Sequence, residues 1–312
     1  MHFPLLLSGV ALGMGLLTAC GGGGGGGSSS SSTSTPPQVL TYTGPSTPAV
    51  IASVSDGQTL TLAALTSGGT GLADYVAKGT DSSSATPFLP GLLKALASNP
   101  QAVRPDVSGG LTEEGACGGS AYFSWETTDG VNYTGTATYN NYCLNPGNFP
   151  IVLNGTCNWT QYYPSSSDSN DFSENWSTDD LYVALAGKTY ICNLTSSAFC
   201  TNNVPGTISS TCTYQAPDGK VYLASNYQVS FGQSGTTTIS GTFYHPDYGS
   251  VVVATPTPLA YSDCSGTYLP TGGSLQITGA NGVTATSAPQ SCSTYQVCIS
   301  NGTQTCQTFN WP

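Results

Sequence analysis

Beyond residue 117 apolar and polar residues alternate in short runs, and turn pairs punctuate them. "SAYFSWETTDGVNYTGTATYN" alternates about Asp129-Gly130, and "IVLNGTCNWTQYY" continues the pattern. "CTYQAPDGKVYLASNYQVSF" turns at Asp218-Gly219, and "TTTISGTFYHPDYGSVVVAT" turns at Pro246-Asp247-Tyr248-Gly249. "GSLQITGANGVTAT" turns at Asn281-Gly282, and "YQVCISNGTQTCQTF" at Asn301-Gly302. A period of two sends alternate side chains to opposite faces of a strand, while Asn-Gly and Asp-Gly supply the backbone of tight hairpins. Tyr, Thr and Val fill the runs, as β propensity requires. The pattern predicts a mainly β fold: an antiparallel meander built as a curved open sheet, a roll or a sandwich. The absence of βαβ alternation argues against a parallel sheet.

Residues 39–110 read differently, as an N-terminal segment with one or two short helices. "SDGQTLTLAALTSG" offers Ser55 or Asp56 as N-cap and an apolar run that Gly68 ends. "PFLPGLLKALASNP" sets Leu89, Leu92, Leu93 and Leu96 on one helical face, with Pro90 in the first turn and Asn99-Pro100 as a stop. Helices this short need packing to persist, so they are expected to cover one face or end of the sheet. The β domain is then residues 111–312.

The start of the chain carries a third pattern. Leu5 to Leu17 is almost wholly apolar, too short to span a bilayer but of signal-peptide length. Leu17-Thr18-Ala19-Cys20 closes that run and resembles the lipobox of bacterial lipoproteins, although the preceding "MHFP" has no Lys or Arg. The resemblance implies a signal peptide over 1–19, a diacylglyceryl thioether on Cys20 and acylation, as with palmitate, of the new amino terminus. Several acyl chains hold a protein on a membrane far more firmly than one chain does. Gly21 to Gly27, Ser28 to Ser32 and "TSTPP" cannot bury enough apolar surface to fold. Residues 20–38 therefore read as lipidated cysteine and tether, a coil with ends about 20–25 Å apart. Gly21 after the cysteine implies, by the same resemblance, sorting to the outer membrane.

Composition narrows the partners. Charged residues make up 7% of the chain, and 5 bases face 16 acids, so no basic patch for nucleic acid can form. Removing Cys20 leaves ten cysteines, an even number in an exported chain, which reads as five disulfides. No Cys-x-x-Cys occurs, so no zinc site, and no other cofactor, is expected. Cys298 and Cys306 flank the Asn301-Gly302 turn and are expected to face each other. Cys117 and Cys143 bracket the first hairpin and are expected to tie its entry to its exit. Cys157, Cys192, Cys200, Cys212, Cys264 and Cys292 remain unassigned.

"YTGPSTPAVI", "GACGGSA", "NNYC", "LNGT" and "GTFYHPDYGSVVVATPTPL" are similar to elements of uncharacterised β-rich exported proteins of proteobacteria. The resemblance covers most of residues 42–312 and implies a common fold without an activity.

Little in the chain points to catalysis. His245, the single histidine after residue 2, sits in the turn "FYHPDYG" without a Gly-x-Ser-x-Gly partner, and reads as a turn residue whose ring packs locally. "SSSDSNDFSENWSTDD" gathers Asp168, Asp171, Glu174, Asp179 and Asp180 without an EF-hand spacing, and reads as a solvated loop. Tyr122, Tyr133, Tyr139, Tyr142, Tyr162, Tyr163, Tyr182, Tyr190, Tyr214, Tyr222 and Tyr227, with Trp125, Trp159 and Trp176, either form the core by alternation or line a groove for sugars or an apolar ligand. The expectation is a non-enzymatic structural or binding module of the outer membrane, held there by its lipid. A carrier of an apolar ligand on a curved sheet and a hydrolase are the alternatives, and the partner is a protein, a glycan or an apolar ligand.

Overall fold

The computed structural model describes residues 40–66, 108–144, 150–164, 171–185, 188–201, 204–232, 236–264 and 267–311. The segments read above as signal peptide, lipidated Cys20, tether and a leucine-rich helix at 87–100 lie outside them. Among the described residues one α-helix, α1 (Val54–Thr66), precedes fourteen strands. They are β1 (Gly109–Glu114), β2 (Ser120–Thr127), β3 (Asn132–Leu144), β4 (Ile151–Tyr162), β5 (Phe172–Leu185), β6 (Lys188–Thr201) and β7 (Val204–Gln215). The chain continues through β8 (Val221–Phe231), β9 (Thr236–His245), β10 (Gly249–Cys264), β11 (Thr267–Thr278), β12 (Thr284–Pro289), β13 (Thr294–Ser300) and β14 (Gln304–Asn310). Each strand pairs only with its neighbours in sequence, all antiparallel, in one open sheet with β1 and β14 as edges.

All five turn pairs read from the sequence join paired strands: β2 to β3, β7 to β8, β9 to β10, β11 to β12 and β13 to β14. One strand departs from expectation. The acidic stretch is not a solvated loop throughout, because residues 172–185 form β5. Phe172, Glu174, Trp176 and Thr178 alternate into the buried face, and Asn175 and Asp179 face out. The charges masked a period-two pattern. Asp168 lies outside the described residues.

The helix is set by reciprocal capping rather than by Ser55 or Asp56 as N-cap. Ser53 occupies the cap: its Oγ accepts the Asp56 N–H at 3.2 Å, and Asp56 Oδ2 accepts the Ser53 N–H at 2.9 Å. This Ser-x-x-Asp arrangement satisfies two donors at the helix start. Leu60, Ala63, Ala64 and Leu65 are buried and α1 packs on β11, β12 and β13. Gly57 permits that approach: a Cβ there would stand 2.9 Å from Ala285 Cβ and from Ile299 Cγ2. Before the helix, the Ala49 N–H donates to Ser250 O and the Ala280 N–H donates to Ala49 O, each at 2.8 Å. The N-terminal segment is thereby laced to β10 and to the turn after β11.

Bulges cross the sheet in a line. The register slips between Tyr139 and Tyr142, between Asn154 and Cys157, between Thr178 and Leu181, and between Ser225 and Gln228. Asn141, Asp180 and Asn226 take positive φ there. A side chain on the neighbouring strand meets each freed N–H. Asn154 Oδ1 accepts from Asn141 at 2.7 Å, Asn193 Oδ1 from Asp180 at 2.7 Å, and Thr211 Oγ1 from Asn226 at 3.4 Å. One such latch recurs in β3–β4, β5–β6 and β7–β8. Aligned bulges bend and twist long strands, which would otherwise lie flat.

Candidate functional site

Between the bulge line and the strand ends, the two faces of β3–β7 differ in kind. Trp159, Trp176, Ser196 and Ser210 lie opposite one another in register and turn to the buried face, as do Gln161, Glu174 and Ala198 one row on. Gly135 stands opposite Trp159, and the lack of a Cβ leaves room for the indole over it. On the solvent face two polar rows run across the strands. One is Thr136, Asn158, Ser177, Thr195 and Thr211; the other is Thr134, Thr160, Asn175, Ser197 and Ser209. Register alone generates these rows, because directly opposed residues share a face.

The rows line a trough of about 450 Å³ over β4–β7, closed at one side by Asn226, and a second of about 660 Å³ adjoins it over β1–β4. Asn158 and Thr160 belong to both. The solvent-face lining of the first is hydroxyls and carboxamides, with no charged side chain. Asn175 Nδ2 donates to Thr160 Oγ1 at 3.1 Å, which holds one carboxamide across the strand gap. Glu126 is the one acid on the second trough.

The aromatic residues follow the core reading. Tyr133, Tyr139, Tyr142, Tyr163, Tyr190, Tyr214, Tyr222 and Tyr227 are buried with Trp159 and Trp176, whereas Tyr122, Tyr162 and Tyr182 are exposed. Trp125 is half-buried. The two buried indoles therefore belong to the core rather than to the solvent-face rows. Sequence reasoning fixed on the aromatic residues and missed the polar rows. Their signal was present in "NWT", "ENWS" and "LTSSA", where small polar residues flank each buried position.

His245 is buried at the β9–β10 turn. Its Nδ1 accepts the Asp247 N–H at 3.1 Å, which leaves the proton on Nε2 in the neutral ring. The ring meets Tyr222 and Tyr248 edge-on. Burial pushes its pKa down to about 4, against a smaller upward pull from Asp247. Lys220 and Asp247 form an ion pair on the exposed side of the same turn. Among the described residues no serine bonds this imidazole, and no group of three or more Cys, His, Asp or Glu could hold a metal ion.

The structure joins Cys117 to Cys143 and Cys298 to Cys306, and adds Cys264 to Cys292. Cys298 and Cys306 are direct register partners, and Cys117 lies in the turn between β1 and β2. Five bridges are not formed. Cys157 is buried without a bond because its register neighbours are Ala137 and Thr178, and burial pushes its thiol up to about 12. Cys192 and Cys212 are unbonded with their sulfurs 2.7 Å apart. No helix among the described residues is long and apolar enough to cross a membrane. No family model, no curated protein and no solved structure matches the chain.

Proposed function

We propose that this is a lipid-anchored protein of the bacterial outer membrane, a non-enzymatic binding module whose recognition surface is the polar trough across β4–β7. The observation that carries the reading is the trough's lining: neutral hydroxyls and carboxamides in two registered rows. An acyl chain laid there would strip water from these groups without replacing it, at about 1–3 kcal/mol for each one left unpaired. An ionic ligand would find no counter-charge. A neutral glycan meets both conditions, since its hydroxyls donate and accept and its ring faces are apolar. The volume falls within the usual range of small-ligand sites, about 300–1,000 Å³. The tether supplies reach from the membrane, and the lipid on Cys20 supplies retention.

The test has two arms. Protein with Asn158→Ala, Asn175→Ala and Thr195→Ala together is compared with wild type for retention on a panel of neutral insoluble polysaccharides. These side chains are exposed, so the fold should survive, as circular dichroism would verify, while binding falls at least tenfold. Equal retention by the triple variant, or retention of a fluorescent fatty acid in place of any polysaccharide, overturns the glycan reading. In the second arm Cys20→Ser, made in its native host, should leave the membrane fraction after a salt wash. If it still sediments with membranes, the anchor reading fails independently.

A further inference from the structure

We infer that Cys192 and Cys212 form a fourth disulfide in the exported protein, joining β6 to β7 inside the buried face, and that Cys157 and Cys200 stay as thiols. The pair is placed by register. Cys192 opposes Tyr214 and Cys212 opposes Leu194, so the cysteines are diagonal neighbours on one face. Both are fully buried. Their sulfurs stand 2.7 Å apart. Non-bonded heavy atoms rest at about 3.5–4.0 Å, and bonded sulfurs at about 2.03–2.05 Å. A reduced pair would have to part by roughly 1 Å into a packed interior, whereas a bonded pair closes by roughly 0.7 Å. The smaller movement leads to the bond.

The compartment supports it, since three other bridges have formed in the same chain. Bond formation removes one proton from each Sγ and joins the two sulfurs. The electron pair passes to the disulfide of a thiol oxidant, which opens to two thiols that take up the two protons. Both thiols are sealed in the finished sheet, so the exchange belongs to the stage before β6 and β7 are covered.

The remaining two cysteines cannot pair within the chain. Cys157 on β4 opposes Thr178 of β5, and Cys200 on β6 opposes Phe172 of β5. A whole strand separates them. Their partners on that strand lie six positions apart, about 20 Å. A disulfide spans Cα atoms about 4.4–6.8 Å apart.

Thiol counting decides the matter. Mature protein isolated from the cell envelope is unfolded without reductant and alkylated with iodoacetamide, and labels are assigned by peptide over the ten body cysteines. Two labels are expected, on Cys157 and Cys200. A non-reduced chymotryptic digest, cut after Phe199, should hold a Cys192–Cys212 peptide pair that disappears on reduction. Cys192→Ser should raise the count from two to three, since its partner is released. Four labels in wild type, none, or Cys192 recovered in another linkage would each overturn the inference. The wild-type count stands even if the variant fails to fold.

Discussion

Beneath α1 the buried face of the sheet is mostly aliphatic: Ile277, Ala285, Val297 and Ile299 share one core with Leu60, Ala64 and Ile51, and the aromatic exception, Tyr295, is hydrogen-bonded to the helix through Gln58. Across β3–β8 the same face carries Tyr133, Trp159, Trp176, Tyr214 and Tyr227 with Gln161, Glu174, Ser196 and Ser210. A helix presents a narrow ridge, and small or β-branched residues make the flat bed it needs. Gly57 shows how close the fit is, since even a methyl group would collide with the strands. Aromatic residues instead lie as planks along the sheet and bury area by themselves. They also leave polar atoms stranded: Trp159 Nε1 and Ser196 Oγ are buried without a hydrogen-bond partner. One end of the molecule gains its stability from shape matching between helix and sheet. The other relies on cross-strand hydrogen bonds: the bulge latches and Thr178.

The largest test of that contrast is at Tyr295, which is fully buried on β13. Its ring stacks on Trp311 at 4.3 Å and on Phe309 at 5.8 Å, and its hydroxyl accepts a hydrogen bond from Gln58 of α1 at 2.9 Å. Tyr295→Ala should cost about 3–5 kcal/mol in urea unfolding, and Tyr295→Phe about 1 kcal/mol. The shape-matched account would be lost if the two variants were equally destabilised, because the hydrogen bond alone would then hold helix to sheet.

A second test uses pH. His245 stays neutral in the fold down to about 4, whereas the unfolded chain takes up its proton near 6.5. Between those values the unfolded state binds more protons, so stability falls as pH is lowered through 6.5 toward 4 and gains no further slope from this group below that. The loss should be on the order of 2 kcal/mol. His245→Phe keeps a ring against Tyr222 and Tyr248 and should flatten this part of the profile. An unchanged slope in the variant would move the pH sensitivity to other groups of the fold.

The strands of the helix-covered end were easier to read than those of the other. Three of their turns are Asn-Gly pairs or Pro-Asp-x-Gly, and the alternation of β10 and β11 is simple: Val251, Val253, Leu275 and Ile277 in, Val252, Ala254, Gln276 and Thr278 out. The β5 strand was hidden by Asp and Glu, and its partner β6 by small polar residues on both faces. The helix start was misplaced by two or three residues, because Ser53 and Asp56 cap jointly and either Ser55 or Asp56 alone looks adequate. The polar positions of the rows were legible strand by strand, but their assembly into a trough was not. It depends on which residue of β4 faces which residue of β6, and each bulge resets that register by an amount only the folded chain displays.

The smallest effect should come from Ser196, and its sign matters more than its size. Ser196 and Thr178 sit on the buried face of adjacent strands, β6 and β5, and each carries one hydroxyl, but the two hydroxyls differ in role. Thr178 Oγ1 donates to Cys192 O at 3.2 Å and accepts the Leu194 N–H at 3.1 Å. Removing it with Thr178→Val strands two backbone groups beside the Cys192–Cys212 pair, at about 1–2 kcal/mol. Ser196 Oγ has no such partners, so it carries a desolvation cost without compensation. Ser196→Ala removes that cost together with the group, and should be neutral or stabilising by up to about 1 kcal/mol. Urea midpoints of the two variants, measured at matched slopes, give the comparison. Should Ser196→Ala destabilise as much as Thr178→Val, its hydroxyl is bonded in solution, and the aromatic end is as well satisfied as the end that α1 covers.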